Sequence, residues 1–146
     1  MITNDVQHRN TKSWLARFES DAADLEQQYP VAGRTRLQQL QIDSARSQAD
    51  DLRQELVDYE RLRSGEERTF VAPSLRGIAE LLIKARVARG WSQRRLADEL
   101  GIAEQQVKRY EVTGYSAASL ARLADIADAL GITITETATL NTVSAA

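Results

Sequence analysis

Residues 92–111, SQRRLADELGIAEQQVKRYE, have side-chain types and a spacing that could do chemistry, and that chemistry is recognition rather than bond-making. Ser92 stands where a hydroxyl would cap a helix. Ala97 falls mid-helix on the inner side. Gly101 follows four residues later, where a backbone with positive φ is wanted. Val107 lies ten positions after Ala97, on the inner face of a second helix, with Ile102 and Tyr110 filling the remaining inner positions. A small residue, a glycine and a β-branched residue at this spacing let two short helices cross steeply about a tight turn. The second helix, predicted over 103–111, then turns Glu104, Gln105, Lys108 and Arg109 outward. These are long polar and cationic types that reach base edges in a major groove. Gln105 has the amide that pairs with adenine and Arg109 the fork that pairs with guanine. Glu104 can accept from cytosine N4. Arg94 and Arg95 are adjacent and so point about 100° apart on a helix. Only one of these two phosphate candidates can face the same groove.

Composition removes most alternatives. The chain has 146 residues, no cysteine and a single histidine, His8. Disulfides, thiolate metal sites, a cysteine nucleophile, a histidine-based triad and a multi-histidine metal centre are therefore excluded. Neighbouring carboxylates such as Asp50-Asp51 and Glu66-Glu67 have no nucleophile beside them. No active site, cofactor or metal is expected, and the chain reads as a non-enzyme. There is no apolar run of about 18 residues and no apolar leader segment, so a cytoplasmic protein without a membrane span is expected. The formal net charge is −2, yet Lys84, Arg86, Arg89, Arg94, Arg95, Lys108 and Arg109 crowd into one stretch. An acidic total does not exclude a polyanion partner, because a field depends on where charges sit.

These residues need elements to hold them. Trp14, Phe18, Ala22, Leu25 and Tyr29 mark one face of a helix over about 11–29, which Pro30 ends. Ile42, Ala45, Ala49, Leu52, Leu56 and Tyr59 form a heptad-spaced seam on a longer helix over about 35–62. The short turn between them makes an antiparallel hairpin. Ser64-Gly65-Glu66-Glu67 breaks the pattern, giving an expected division into a hairpin at 1–66 and a second unit at 67–146. In the second unit, helices are expected over about 74–89, with Ser74 as N-cap, then 92–100, 103–111 and 118–130. After Gly131 the period changes to two, and Ile132-Thr133-Ile134-Thr135-Glu136-Thr137 reads as a short strand. His8, near the chain start, is expected to be disordered.

Residues 74–132 resemble the Xre family, the Cro and repressor-type helix-turn-helix proteins. The resemblance is carried by Arg86, Trp91-Ser92-Gln93, Leu96-Ala97, Leu100-Gly101, Val107, Tyr110-Glu111, Leu123, Ile126-Ala127 and Leu130-Gly131. It implies a lambda-repressor-like all-α bundle, here preceded by a helical hairpin and followed by a strand-like tail. It implies that the helix beginning near Ala103 enters the major groove, with Glu104, Gln105 and Arg109 facing bases. It implies that Gln93 hydrogen-bonds a phosphate and that Arg86 and Glu111 form an internal ion pair. Tyr115 is placed to touch a phosphate beyond the recognition helix or to pack on the last helix. The extra hairpin, the tail and the wording YEVTGYSAASLARL are similar to antitoxins of the host-inhibition-of-growth type. The expected function is that of a dimeric repressor on a double-stranded DNA operator. The alternative is an antitoxin that binds a toxin and represses its own operon. The dimer interface is expected in the Leu52/Leu56/Tyr59 seam, the Ile132/Ile134 tail, or both.

Overall fold

The computed structural model describes residues 1–143. Its elements are α1 (Asp5–Gln28), α2 (Arg36–Arg63), a 3₁₀ turn (Leu75–Gly77), α3 (Ile78–Ala88), α4 (Gln93–Leu100), α5 (Glu104–Val112) and α6 (Leu120–Leu130). Among the described residues there is no strand, and no helix is long and apolar enough to cross a membrane.

The first helix starts six residues before its expected Thr11. Asn4 caps it by accepting from the Gln7 amide at 2.9 Å, and Asp5 adds negative charge in the first turn. His8 is therefore helical rather than disordered. Its ring lies 5.0 Å from that of Tyr59, and its Nε2 lies 3.1 Å from Glu60 Oε1. Arg34 folds back onto the Tyr29 carbonyl at 2.7 and 2.9 Å and closes the turn. Thr35 and Gln38 then open α2 with a reciprocal capping box.

The α2 seam runs as its spacing implies, with Ile42, Ala49, Leu56 and Tyr59 buried. The α1 seam does not. Trp14 is half exposed, and Leu15 turns inward beneath it. Each four-residue step overshoots a helical turn by about 40°. A run of 14, 18, 22 therefore drifts off a face that 15, 18, 22, 25 follows. One flank of the hairpin is lined with ion pairs, from Arg46–Glu26 and Arg53–Glu19 to Lys12–Glu60 and Arg63–Asp5.

The four helices α3 to α6 enclose a separate core built on Leu82, Ala85, Leu96, Ala97, Val107, Ile126 and Leu130. The two regions meet in a smaller cluster, where Ile2, Leu56, Tyr59 and Leu62 pack on Val87 of α3. Helix α3 begins later than expected. Residues 75–77 wind into a 3₁₀ turn, and Ser74 makes no side-chain cap bond. Helix α6 begins at Leu120 instead of Ala118, because Ser119 supplies the cap to the Arg122 amide.

The expected strand at 132–137 is not formed. Residues 132–143 carry no regular structure, although Ile132 and Ile134 pack against the core. A strand is defined by its ladder. The Ile132 amide donates to the Ala127 carbonyl at 3.1 Å as part of the α6 end, and beyond it no backbone–backbone hydrogen bond involves this segment among the described residues.

Candidate nucleic-acid interface

Two cap residues and one turn set the geometry. Ser92 accepts from the Arg95 amide at 3.0 Å and starts α4. Gly101 ends it in the left-handed conformation, φ +65°, which a residue with a Cβ adopts only under strain. The Ile102 amide donates back to the Ala97 carbonyl at 3.0 Å, and α5 leaves from Glu104. Ala97 and Val107 are both buried, so the helices pack closely at their crossing.

Behind α5 lies a buried polar knot. Arg86 is 1% exposed and Glu111 9%. The guanidinium meets the carboxylate through two bonds, Nε to Oε1 at 2.6 Å and Nη2 to Oε2 at 2.9 Å. It also donates to the Trp91 carbonyl and, across the junction, to the Thr3 carbonyl, both at 2.7 Å. Gln93 Nε2 donates to Glu111 Oε2 at 2.7 Å. Helix α5 is thereby tied to α3, to the start of α4 and to the N-terminal segment. A buried charge satisfied this fully locks geometry, because any displacement would leave it unpaired.

This placement departs from two expectations. Gln93, expected at a phosphate, is 7% exposed with its amide donor committed to Glu111. Tyr115, the other phosphate candidate, is 5% exposed, at φ +57°, and its ring stacks on Tyr110 with centroids 5.6 Å apart. Burial, with Glu111 nearby, holds its phenol above the ordinary tyrosine range, and its hydroxyl has no hydrogen-bond partner. For Gln93 the phosphate role came from the family resemblance, and for Tyr115 the sequence left packing on the last helix open as the alternative. The tertiary fold encloses both, Gln93 against Glu111 and Tyr115 in the bundle core.

The seven-residue basic cluster is also sorted by the fold. Lys84 pairs with Glu80 at 2.7 Å, and Arg86 with Glu111. Arg89 donates to the Leu130 and Gly131 carbonyls at 2.7 and 2.9 Å, closing the end of α6. A Cβ on Gly131 would lie 2.8 Å from Arg89 Nη2, so the guanidinium would have to shift, and the left-handed φ of +63° favours glycine there. Arg95 pairs with Glu99 at 2.6 Å and covers the Trp91 ring at 5.2 Å. Lys108 pairs with Glu104 at 2.9 Å. Arg94 and Arg109 are exposed and have no carboxylate partner among the described residues.

Helix α5 consequently presents two different stripes. Glu104, Lys108 and Val112 line a groove of about 640 Å³ opposite Thr3–Gln7 of the N-terminal segment. Gln105 and Arg109, one turn apart, are exposed. Nothing in the sequence pattern placed residues 2–7 so close to α5. The signal that existed was Asn4 three residues before Gln7, an ordinary cap spacing in a segment that otherwise resembles a tail.

A pair of short helices joined through a left-handed glycine, with its second helix held by a buried ion pair, is a helix-turn-helix arrangement. Residues 82–136 match the family model of helix-turn-helix domains. That family consists of DNA-binding regulator domains, and the match spans less than half of the 146 residues, from within α3 to the extended tail. No curated protein and no solved structure matches the chain.

Proposed function

We propose that the protein is a sequence-specific DNA-binding repressor that reads the major groove with α5 as a homodimer. The observation that carries this reading is the pair Gln105 and Arg109. They are exposed one turn apart on a helix whose other faces are committed to the core, to Arg86 through Glu111 and to the Glu104–Lys108 pair. An amide and an unpaired guanidinium in that position fit adenine and guanine edges. Arg94, also unpaired, fits a phosphate, and Arg95 is the weaker phosphate candidate because Glu99 and Trp91 already hold it. Glu104 and Lys108 pair with each other, which makes them weaker base candidates than Gln105 and Arg109. With only two uncommitted cations in the cluster, one copy makes few phosphate contacts. Twofold pairing would place two recognition helices one DNA turn apart, about 34–36 Å. The role would be exercised in the cytoplasm, beside the DNA. The toxin-neutralising alternative has no observation of its own in the structure and is not advanced.

The test is a binding titration against an operator and its single-base variants at two salt concentrations. Arg109→Ala should cost about 1–3 kcal/mol on the native site and relax preference at one base pair. Arg94→Ala should weaken all sequences alike and reduce the salt slope by about one. If Arg109→Ala weakens every variant equally, Arg109 is a phosphate contact and the reading face is misassigned. Absence of any salt-dependent binding to double-stranded DNA would remove the proposal.

A further inference from the structure

The tail has the pattern of a strand longer than anything the monomer gives it to pair with. From Ile132 to Asn141 one side carries Ile132, Ile134, Ala138 and Leu140, interrupted by the charged Glu136, and the other carries Thr133, Thr135, Thr137, Thr139 and Asn141. Period two with β-branched residues is what a pleated, half-buried strand requires. Only Ile132 and Ile134 reach the core, and Leu140 is 98% exposed. Among the described residues, no backbone hydrogen bond involves residues 133–143.

A second extended segment faces it. Residues 67–73 also have no backbone–backbone hydrogen bond. Between the two runs lies an open groove of about 1270 Å³, with Glu67–Leu75 along one wall, Gly131–Ala138 along the other and Ile78, Leu81 and Ala85 of α3 on the floor. Val71 and Leu75 on the first wall are exposed. Two strand-like edges flanking an apolar floor leave room for one more extended chain. The charges match as well. Glu136 is the single charged side chain after Asp128, and Arg68 on the opposite wall has no carboxylate partner among the described residues.

We propose that the extended chain in this groove is the tail of a second copy, each protomer laying residues 136–143 into the other's groove as an added strand. This rests on the dimeric reading above and names its interface. The exchanged segment supplies what each edge lacks, a ladder partner, and buries the Ala138 and Leu140 side that the monomer leaves in water. The other interface considered, the Leu52/Leu56/Tyr59 seam, is largely consumed inside the monomer, because Leu56 and Tyr59 are already buried at the junction.

The absence of native cysteine allows a direct experiment. Chains carrying only Val71→Cys are mixed with chains carrying only Leu140→Cys and oxidised, and the disulfide-linked species are identified by mass. Linkage between 71 and 140 is expected, and it can form only between two copies. In parallel, sedimentation measures dimerisation of the full chain, of Leu140→Asp and of Thr137→Pro, with circular dichroism confirming unchanged helix content. Both substitutions fall where the monomer makes no backbone hydrogen bonds, so the fold should persist. Each should weaken the dimer by about tenfold to hundredfold. A dimer that both variants leave unchanged, with no 71–140 linkage, overturns the tail exchange while sparing the dimeric reading. A full-length chain that is monomeric at micromolar concentration overturns both.

Discussion

The hairpin and the four-helix bundle are both helical, but they are held by different forces. In the hairpin the seam includes small residues, Ala22, Ala45 and Ala49, and the named ion pairs stand on an exposed flank. Exposed pairs contribute little each, because water screens them and long side chains lose freedom in forming them. In the bundle the core carries Leu, Ile and Val side chains, and its one deep ion pair is enclosed and satisfied at every guanidinium nitrogen. The hairpin can therefore lose a charge at little cost, whereas the bundle cannot. This difference also separates precision from tolerance. Helix α5 is held by the buried network around Arg86 and Glu111, while the hairpin meets the bundle through apolar contact at Ile2, Leu62 and Val87 and the single Arg86–Thr3 bond.

The largest effect should come from the buried pair. Glu111→Ala leaves the Arg86 guanidinium without its carboxylate and Gln93 without its acceptor. The cost should be about 3–5 kcal/mol, lowering the thermal midpoint by about 10–20 °C. An unchanged midpoint in scanning calorimetry would mean that the pair is not enclosed in solution, and the contrast between the regions would lose its basis. DNA binding should fall only as far as folding does.

An intermediate effect should follow from separating the regions. A chain of residues 67–146 keeps the bundle core but exposes Val87 and takes the Thr3 carbonyl from Arg86. It should remain helical by circular dichroism and be less stable than the full chain by about 2–4 kcal/mol. An unfolded fragment would show that the two regions form one cooperative unit.

The smallest effect should be on the hairpin flank. Arg53 pairs with Glu19 and Asp50, and those hydrogen bonds hold its guanidinium above the usual arginine range, but the group stands fully in water. Arg53→Ala should leave the thermal midpoint within experimental error. A clear drop would mean that the flank is a cooperative network, and would narrow the difference between the regions.

What could be read from the chain alone was whatever depends on near neighbours. The heptad seam of α2, the cap at Ser92 and the glycine turn at Gly101 are all decided within a few residues. Backbone sterics and side-chain periodicity act over that range, so the elements and the outward placement of Gln105 and Arg109 were legible. The strand at 132–137 was misread for the complementary reason. Its residues favour an extended backbone, but a ladder requires a second chain segment that local preference cannot supply. The same holds for Gln93, tied to Glu111 of α5, and for Tyr115, enclosed in the bundle core. The basic cluster divides along the same line. Lys84, Arg95 and Lys108 pair one turn away on their own helices, which helical spacing alone implies. Arg86 and Arg89 are claimed by Glu111 and by the end of α6, 25 and 41 residues away, partners that only the tertiary structure brings near.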